Sequence, residues 1–405
     1  MEPILFLVHR IPFPPNKGDK IRSFHLLRHL AQRYEVHLGT FVDMPEDRAH
    51  VPELERLCAS CRVEQLDPRA ARLRSVSGFL TGEALTLPYY RSGALRAWVR
   101  ETVAAHGIRK AVVFSGAMAQ YVRGLDLHVV LDFVDVDSAK WSQYAERHSW
   151  PSSLVYRREG ARLLSFERAA AAGSAACVFV TDSEADLFRR NAPECAGKVQ
   201  VVQNGVRTDH FRPDRSLASP FGRDEYPIVF TGAMDYWPNI DAVSWFASEI
   251  LPRVHEQRPD LRFIIVGMNP TSTVAALASI PAVTVTGRVE DIRPYLQHAG
   301  VVVAPLRVAR GIQNKILEAM SMGRPVVTTP AAARSIRASA GVDFEVALEP
   351  EEFARKVLAL AGTAAGEALG QRARQCVVAG YDWERNLAAY DELLDGPSAA
   401  ARVTC

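Results

Sequence analysis

No apolar run in the 405-residue chain is long enough to span a bilayer, and the longest, such as Ala299 to Leu306, are strand-sized. The first residues carry neither a basic stretch nor a small-residue cleavage site. Ile4–Val8 therefore reads as a first strand, and the protein is expected in the cytoplasm. Cysteine is scarce, six residues in all. Cys58 and Cys61 form one C-x-x-C with no second pair or Cys/His set, which excludes a zinc ribbon and leaves two reduced thiols near a helix end. A dominant charge is also missing: the net charge is +2. Residues 1–210 hold 28 Lys and Arg against 24 Asp and Glu, and the remainder 20 against 22. That +4 first half is too weakly basic for nucleic acid, although it suits an anionic acceptor or leaves a peripheral contact with an anionic membrane face open. Neither candidate first strand is followed by G-x-G-x-x-G, which disfavours a dinucleotide-dependent oxidoreductase.

What is present is a repeated grammar. Hydrophobic residues make up 48% and charged residues 23%, an ordinary globular mixture, and the length suits two domains. Short runs apolar on both faces alternate with amphipathic stretches, as in Ile21, Phe24, Leu27 and Ala31. The expected strands are Ile4–Val8, Glu35–Phe41, Val63–Leu66, Ala111–Phe114, Val129–Asp132 and Cys177–Val180. After Asp209 the pattern restarts with Ile228–Thr231, Arg262–Val266, Val283–Val285, Val301–Ala304, Pro325–Thr328 and Phe344–Val346. Asn204 to Tyr226, rich in proline and charge, reads as the linker. The expected fold class is thus α/β, two tandem doubly wound domains at 1–205 and 206–380, with a ligand cleft between strand ends. Residues 381–405 are expected to form a C-terminal helix packing back on the first domain, and a tail. Gly362 to Gly370 reads as helix with a bend.

The segment Val301 to Thr328 carries the strongest chemistry. A strand ends at Pro305, a loop holds Arg307 and Arg310, and a helix is expected from Gly311. Ile312, Ile316 and Ala319 share the inward stripe, while Gly311, Lys315 and Glu318 share another. Free N–H groups and the positive end of the helix at Gly311 favour an anion, and Arg310 and Lys315 add charge. Glu318 would lie about 10 Å along the axis, where a ribose attached to a bound diphosphate presents its hydroxyls. The alternative is an ordinary amphipathic helix with a surface Lys315–Glu318 pair.

The run from Gly311 through Lys315, Glu318-Ala-Met and Gly323 to Pro325-Val-Val resembles the donor-binding signature of glycosyltransferase family four. Val202-Gln-Asn-Gly-Val, Phe211-Arg-Pro, Thr231 to Asp241, Ile265-Val-Gly and Thr286 to Asp291 extend that resemblance. Arg10 to Asp19 and Val134 to Trp141 are similar to one bacterial branch, the sugar transferases associated with exosortase and exopolysaccharide gene clusters. The resemblance implies the GT-B fold of two Rossmann-like domains. It also implies a hexosyl transfer, with retention, from a nucleotide diphosphate sugar to a hydroxyl of a glycan or lipid-linked acceptor. The first domain would bind the acceptor and the second the donor. Two departures stand out. Arg310 occupies the place of the family's second glutamate, and the loop Ala233–Asn239 lacks the basic residues often found there.

The residues expected to carry the chemistry are Arg310 and Lys315, with Asp135 from the first domain. Those expected to hold the donor are Gly18, Gly232, Arg288, Gly311, Ile312, Lys315 and Glu318. Neither a metal nor a cofactor is expected. Asp135-Val-Asp137 is a D-x-D, but it lies away from the diphosphate helix; Asp132 and Asp135 fit sugar hydroxyls better, and Asp137 fits a helix cap. Lys17, Lys20 and Arg22 beside Gly18 oppose the dipole of a helix capped by Asp19, which favours an anion there. Tyr156 to Arg168 reads as a basic amphipathic helix, for interdomain packing or an anionic bilayer at the inner membrane face. A nucleotide-sugar 2-epimerase on the same fold and a non-catalytic nucleotide-sugar-binding component are the alternative functions.

Overall fold

Strands that are apolar on both faces need cover on both sides, and helices supply it here. The structure, a computed structural model, describes residues 1–15, 18–147, 149–222, 226–309 and 311–396. Contacts divide the chain into two units, residues 1–203 with the segment from Glu384 onward, and residues 204–383.

The first unit holds β1 (Glu2–Val8), β2 (Tyr34–Val42), β3 (Ser60–Gln65), β4 (Lys110–Phe114), β5 (His128–Val134), β6 (Ala176–Phe179) and β7 (Val199–Val201). They form one parallel sheet in the order β3-β2-β1-β4-β5-β6-β7. The second unit holds β8 (Ile228–Thr231), β9 (Phe263–Val266), β10 (Val283–Gly287), β11 (Val301–Ala304), β12 (Val326–Thr328) and β13 (Glu345–Val346). Their order is β10-β9-β8-β11-β12-β13, again parallel. Each unit has its own core; the central strands β1, β4, β8 and β11 are almost wholly buried. In both sheets the chain reverses direction of travel beside its first strand. The crevice for a ligand therefore opens beyond the ends of β1 and β4 in one unit, and beyond β8 and β11 in the other.

The twelve expected strands form, and β7 is an addition. Its three residues, Val-Gln-Val, carry too little pattern to register alone and gain their partners from β6. Three other expectations are corrected. The helix expected from Gly311 begins at Asn314, because Gly311 sits at φ +61°, a left-handed conformation outside any helix. Gly362 at φ +69° ends one helix (Pro350–Leu360) rather than bending it, and a second follows at Ala364–Gly380. The C-terminal helical region is likewise two pieces, Trp383–Leu387 and Ala389–Asp395. Among the described residues, no helix is long and apolar enough to cross a membrane.

Candidate active site

Beyond β8 the backbone must pass close to its neighbour. A Cβ on Gly267, which follows β9, would fall 1.6 Å from the Gly232 carbonyl oxygen. Only glycine fits there. A Cβ on Gly232 would in turn lie 2.7 Å from the Asn239 amide nitrogen and 3.0 Å from Lys315 Nζ. The bare backbone at Gly232 thus makes room for the Lys315 ammonium at the mouth of the sheet. That ammonium donates to Asn239 Oδ1 at 2.6 Å and lies 4.1 Å above the centre of the buried Phe230 ring. Asn239 is itself fixed by donating to the Ala233 carbonyl.

Lys315 and Glu318 lie on one side of the helix Asn314–Ser321, whose Ile316, Leu317, Ala319 and Met320 enter the core. Because the helix starts at Asn314, Glu318 is about 6 Å along it rather than about 10 Å from the end. Burial pushes the Lys315 amine down to about 7 against the opposing pull of Glu318. Burial pushes the Glu318 carboxyl up to about 7 against Lys315. Each charge is poorly solvated in the free protein, so an anion beside Lys315 and hydroxyls beside Glu318 would both relieve the site. Two further polar atoms nearby, Asn314 Oδ1 and Thr231 Oγ1, are buried without a partner. Ile312 is half-buried and packs against the core of this unit, while Arg288 is exposed just past β10. Arg307 pairs with Asp241. Arg310 lies outside the described residues.

Sequence reading missed Asn239 and Phe230, which place Lys315. Asn239 stands in the Thr231–Asp241 run that carries part of the resemblance, but nothing in its spacing points to a lysine 76 positions later.

In the first unit, several expected roles change. Gly18 opens the helix Gly18–Ala31 with open space about it, and Asp19 is in the first turn rather than capping. Asp19 accepts from Arg10 at 2.8 Å and lies 3.5 Å from His9. Burial opposes its ionisation, yet His9 and Arg10 hold its carboxyl well below the usual range. Lys20 and Arg22 are buried and satisfied internally, Lys20 by Asp47 at 2.6 Å and Arg22 by Asp132 at 2.8 Å, so neither offers charge to an anion at Gly18. Lys17 lies outside the described residues. Asp132 also accepts from Tyr390 at 2.6 Å and from the Val134 N–H, so it is closed to sugar hydroxyls.

Asp135 remains available in part. The chain leaves β5 through Val134 at φ +68°, a conformation costing a β-branched residue about 1–3 kcal/mol. Two buried glutamate side chains hold that turn, Glu184 accepting from the Val136 N–H at 2.7 Å and Glu167 from the Ser138 N–H and hydroxyl. Glu167 does the capping once expected of Asp137, which is the first residue of the helix Asp137–Arg147. Lys140 Nζ sits 3.1 Å from Asp135 and 2.9 Å from Asp137, occupying the place between them that a metal would take. Asp135 Oδ1 is buried without a partner. The helix containing Tyr156 to Arg168 runs Ser152–Ala172; its Glu159, Gly160, Leu163 and Glu167 are buried, and it packs against the helix Asp137–Arg147 within its own unit.

Residues 225–363 match the family model described as "Glycosyl transferases group 1". No curated protein matches the chain. Among solved structures, sucrose-phosphate synthase from Thermosynechococcus elongatus is similar at 19% identity and a TM-score of 0.70, over 97% of this chain and 98% of that one. Anabaena HepE in complex with UDP and glucose is similar at 16% identity and 0.67, over 98% and 100%. WaaG, a glycosyltransferase involved in lipopolysaccharide biosynthesis, is similar at 15% identity and 0.64, over 97% and 100%. At such identities these likenesses establish the fold, which is GT-B. The class comes from the matching domain, which lies in the second unit: a glycosyltransferase.

Proposed function

We propose that this protein moves a hexosyl group from a nucleotide diphosphate sugar to a hydroxyl of a glycan or lipid-linked acceptor, retaining anomeric configuration. The reading places it with glycosyltransferase family four, in bacterial exopolysaccharide or related glycan synthesis, in the cytoplasm or at the inner membrane face. The observation that carries it is the Lys315 ammonium held over Gly232 by Asn239 and Phe230, with Glu318 one turn along the same helix. HepE is a structural neighbour described with UDP and with UDP-glucose, which supports a donor of that kind.

Lys315, with Arg310 as its proposed companion and the N–H groups from Gly311 onward, holds the diphosphate and stabilises its charge as it leaves. Glu318 receives the ribose hydroxyls; Gly232, Arg288 and Ile312 complete the donor contacts. The bond from the sugar's anomeric carbon to the diphosphate oxygen breaks, and the acceptor oxygen bonds to that carbon. The acceptor's proton passes to the departing diphosphate. Asp135 is the proposed contact to sugar hydroxyls in the first unit, and Gly18 lets the reacting ligand approach its backbone.

Because Lys140 fills the space between Asp135 and Asp137, the donor needs no metal there. Transfer is expected to persist in excess chelator; loss restored by magnesium or manganese would refute this arrangement. Incubation with nucleotide sugar alone separates the epimerase reading, which needs no acceptor. Turnover itself separates the binding-component reading.

A further inference from the structure

The first unit contains a second cationic site, distinct from the residues given roles above. A cavity of about 580 Å³ is lined by Arg91, Arg96, Arg100, Arg123 and Arg162. Glu83 pairs with Arg91 at 2.9 Å. Among the described residues, no carboxylate lies within ion-pair distance of the other four. Arg91 Nε is buried without a partner. Glu83, which also lines the cavity, acts on both Arg91 and Arg96, and Arg100, Arg123 and Arg162 reach solvent. The hollow thus carries a net positive charge of five guanidinium groups against one carboxylate, and their planar forks suit phosphate oxygens.

The wall beside the arginines is fixed. Glu159, almost wholly buried, accepts from the N–H groups of Leu85 and Thr86 and from the Thr86 hydroxyl. Arg158 donates to the carbonyls of Gly78 and Glu83, and its guanidinium lies 4.8 Å above the Phe79 ring. Two short helices just before this wall, Pro68–Ser75 and Ser77–Thr81, carry outward-facing apolar side chains. Leu80 is 91% exposed and Leu73 76%, with Val76 and Phe79 about half exposed. Large apolar side chains left in water beside a cationic hollow with room for a phosphorylated headgroup define a two-part surface.

We propose that this cavity binds the phosphate or diphosphate of an amphiphile, with the ridge of Leu73, Val76, Phe79 and Leu80 taking its hydrocarbon part. The arginines bind the headgroup and the ridge distinguishes a lipid phosphate from a soluble one. Naming this ligand as the acceptor rests on the transferase reading above, whereas the binding does not; measuring binding without donor keeps the two separable.

The test uses calorimetry with dodecyl phosphate below its micellar concentration and with inorganic phosphate, on full-length protein carrying Lys315→Ala so that the second unit's site is silent. Dodecyl phosphate is expected to bind at least about tenfold more tightly than inorganic phosphate. Arg96→Ala with Arg100→Ala should weaken both by about tenfold or more. Leu80→Asn, a neutral change at a side chain in open water, should weaken only dodecyl phosphate. The Lys315-intact protein should sediment with phosphatidylcholine vesicles containing phosphatidic acid and not with neutral ones. Unchanged melting temperatures would confirm that the variants fold. Equal affinity for the two probes, with no effect of Leu80→Asn, would assign the cavity to a soluble phosphate and overturn the proposal. Binding indifferent to the arginine changes would overturn it outright.

Discussion

Lys315 and Glu318 face one another across a charge balance that the free protein satisfies poorly, since burial disfavours both ions near neutral pH. Glu318→Gln is expected to weaken nucleotide sugar binding ten- to a hundred-fold, the loss of charge-assisted hydrogen bonds of about 1.5–3 kcal/mol. The same variant exposes the pH dependence of Lys315. Its amine is depressed, so it is protonated below about 7 and neutral above. A diphosphate binds the protonated form, and Glu318→Gln removes the carboxylate that raises this amine, so affinity in the variant should fall as pH rises, with its midpoint below the wild-type value of about 7, by up to about tenfold per unit. Adding Lys315→Met should flatten that profile in calorimetry; a slope that survives would place the titrating group elsewhere. Glu167 gives an independent case. Burial pushes its carboxyl up to about 8 from an ordinary 4.5, so folding takes up a proton between those values. Wild-type stability should therefore fall as pH rises from about 4.5 to 8, relative to Glu167→Gln, which still offers Ser138 an acceptor. Parallel melting curves for the two across that window would refute the assignment.

At the scale of elements, the crossing of the ends of β8 and β9 is the tightest constraint on the candidate site. Gly267→Ala would drive a methyl into the Gly232 backbone, which no rotamer change can relieve. We expect a loss of about 3 kcal/mol, the upper part of the range for overpacking, read as a lower melting temperature of the second unit. Gly232→Ala meets only the tips of Asn239 and Lys315. It should leave melting nearly unchanged and reduce nucleotide affinity; the reverse pattern would mean that Lys315 is not held where donor binds. The strands were legible in the sequence because Phe263–Val266 or Val301–Ala304 are unbroken β-branched and aliphatic runs bounded by turns. The helix start was not, because Gly311 fits a helical start and a left-handed loop equally well by composition. Nor was the fate of Lys20 and Arg22 legible: their partners Asp47 and Asp132 lie on distant elements, and only the fold brings them together. Lys315 and Glu318 were found because helical spacing is local; Asn239 was missed because its contact is not.

Across the whole molecule, the first unit is completed by the far end of the chain. Arg22 and Asp132, both fully buried, are joined by the Tyr390 hydroxyl from the helix Ala389–Asp395, and burial lifts that hydroxyl's ionisation well above the usual range. Tyr390→Phe should cost about 1–3 kcal/mol by leaving this buried pair underbonded. Hydrogen exchange should report the loss in β1, β4 and β5 while β8 and β11 keep their protection. Equal loss in both sheets would mean that the units do not unfold separately. The second unit leaves and rejoins at one place: a Cβ on Gly205 would lie 2.7 Å from Trp383, and the Val206 N–H donates to the Tyr381 carbonyl. On a ribosome adding about 5–20 residues per second, the intervening span occupies on the order of ten seconds or more. Throughout that interval the nascent first unit holds Arg22 against Asp132 without its third partner. The second unit, contiguous in sequence, is therefore the first to be made whole, and the helix Ala389–Asp395, synthesised after it, closes the first.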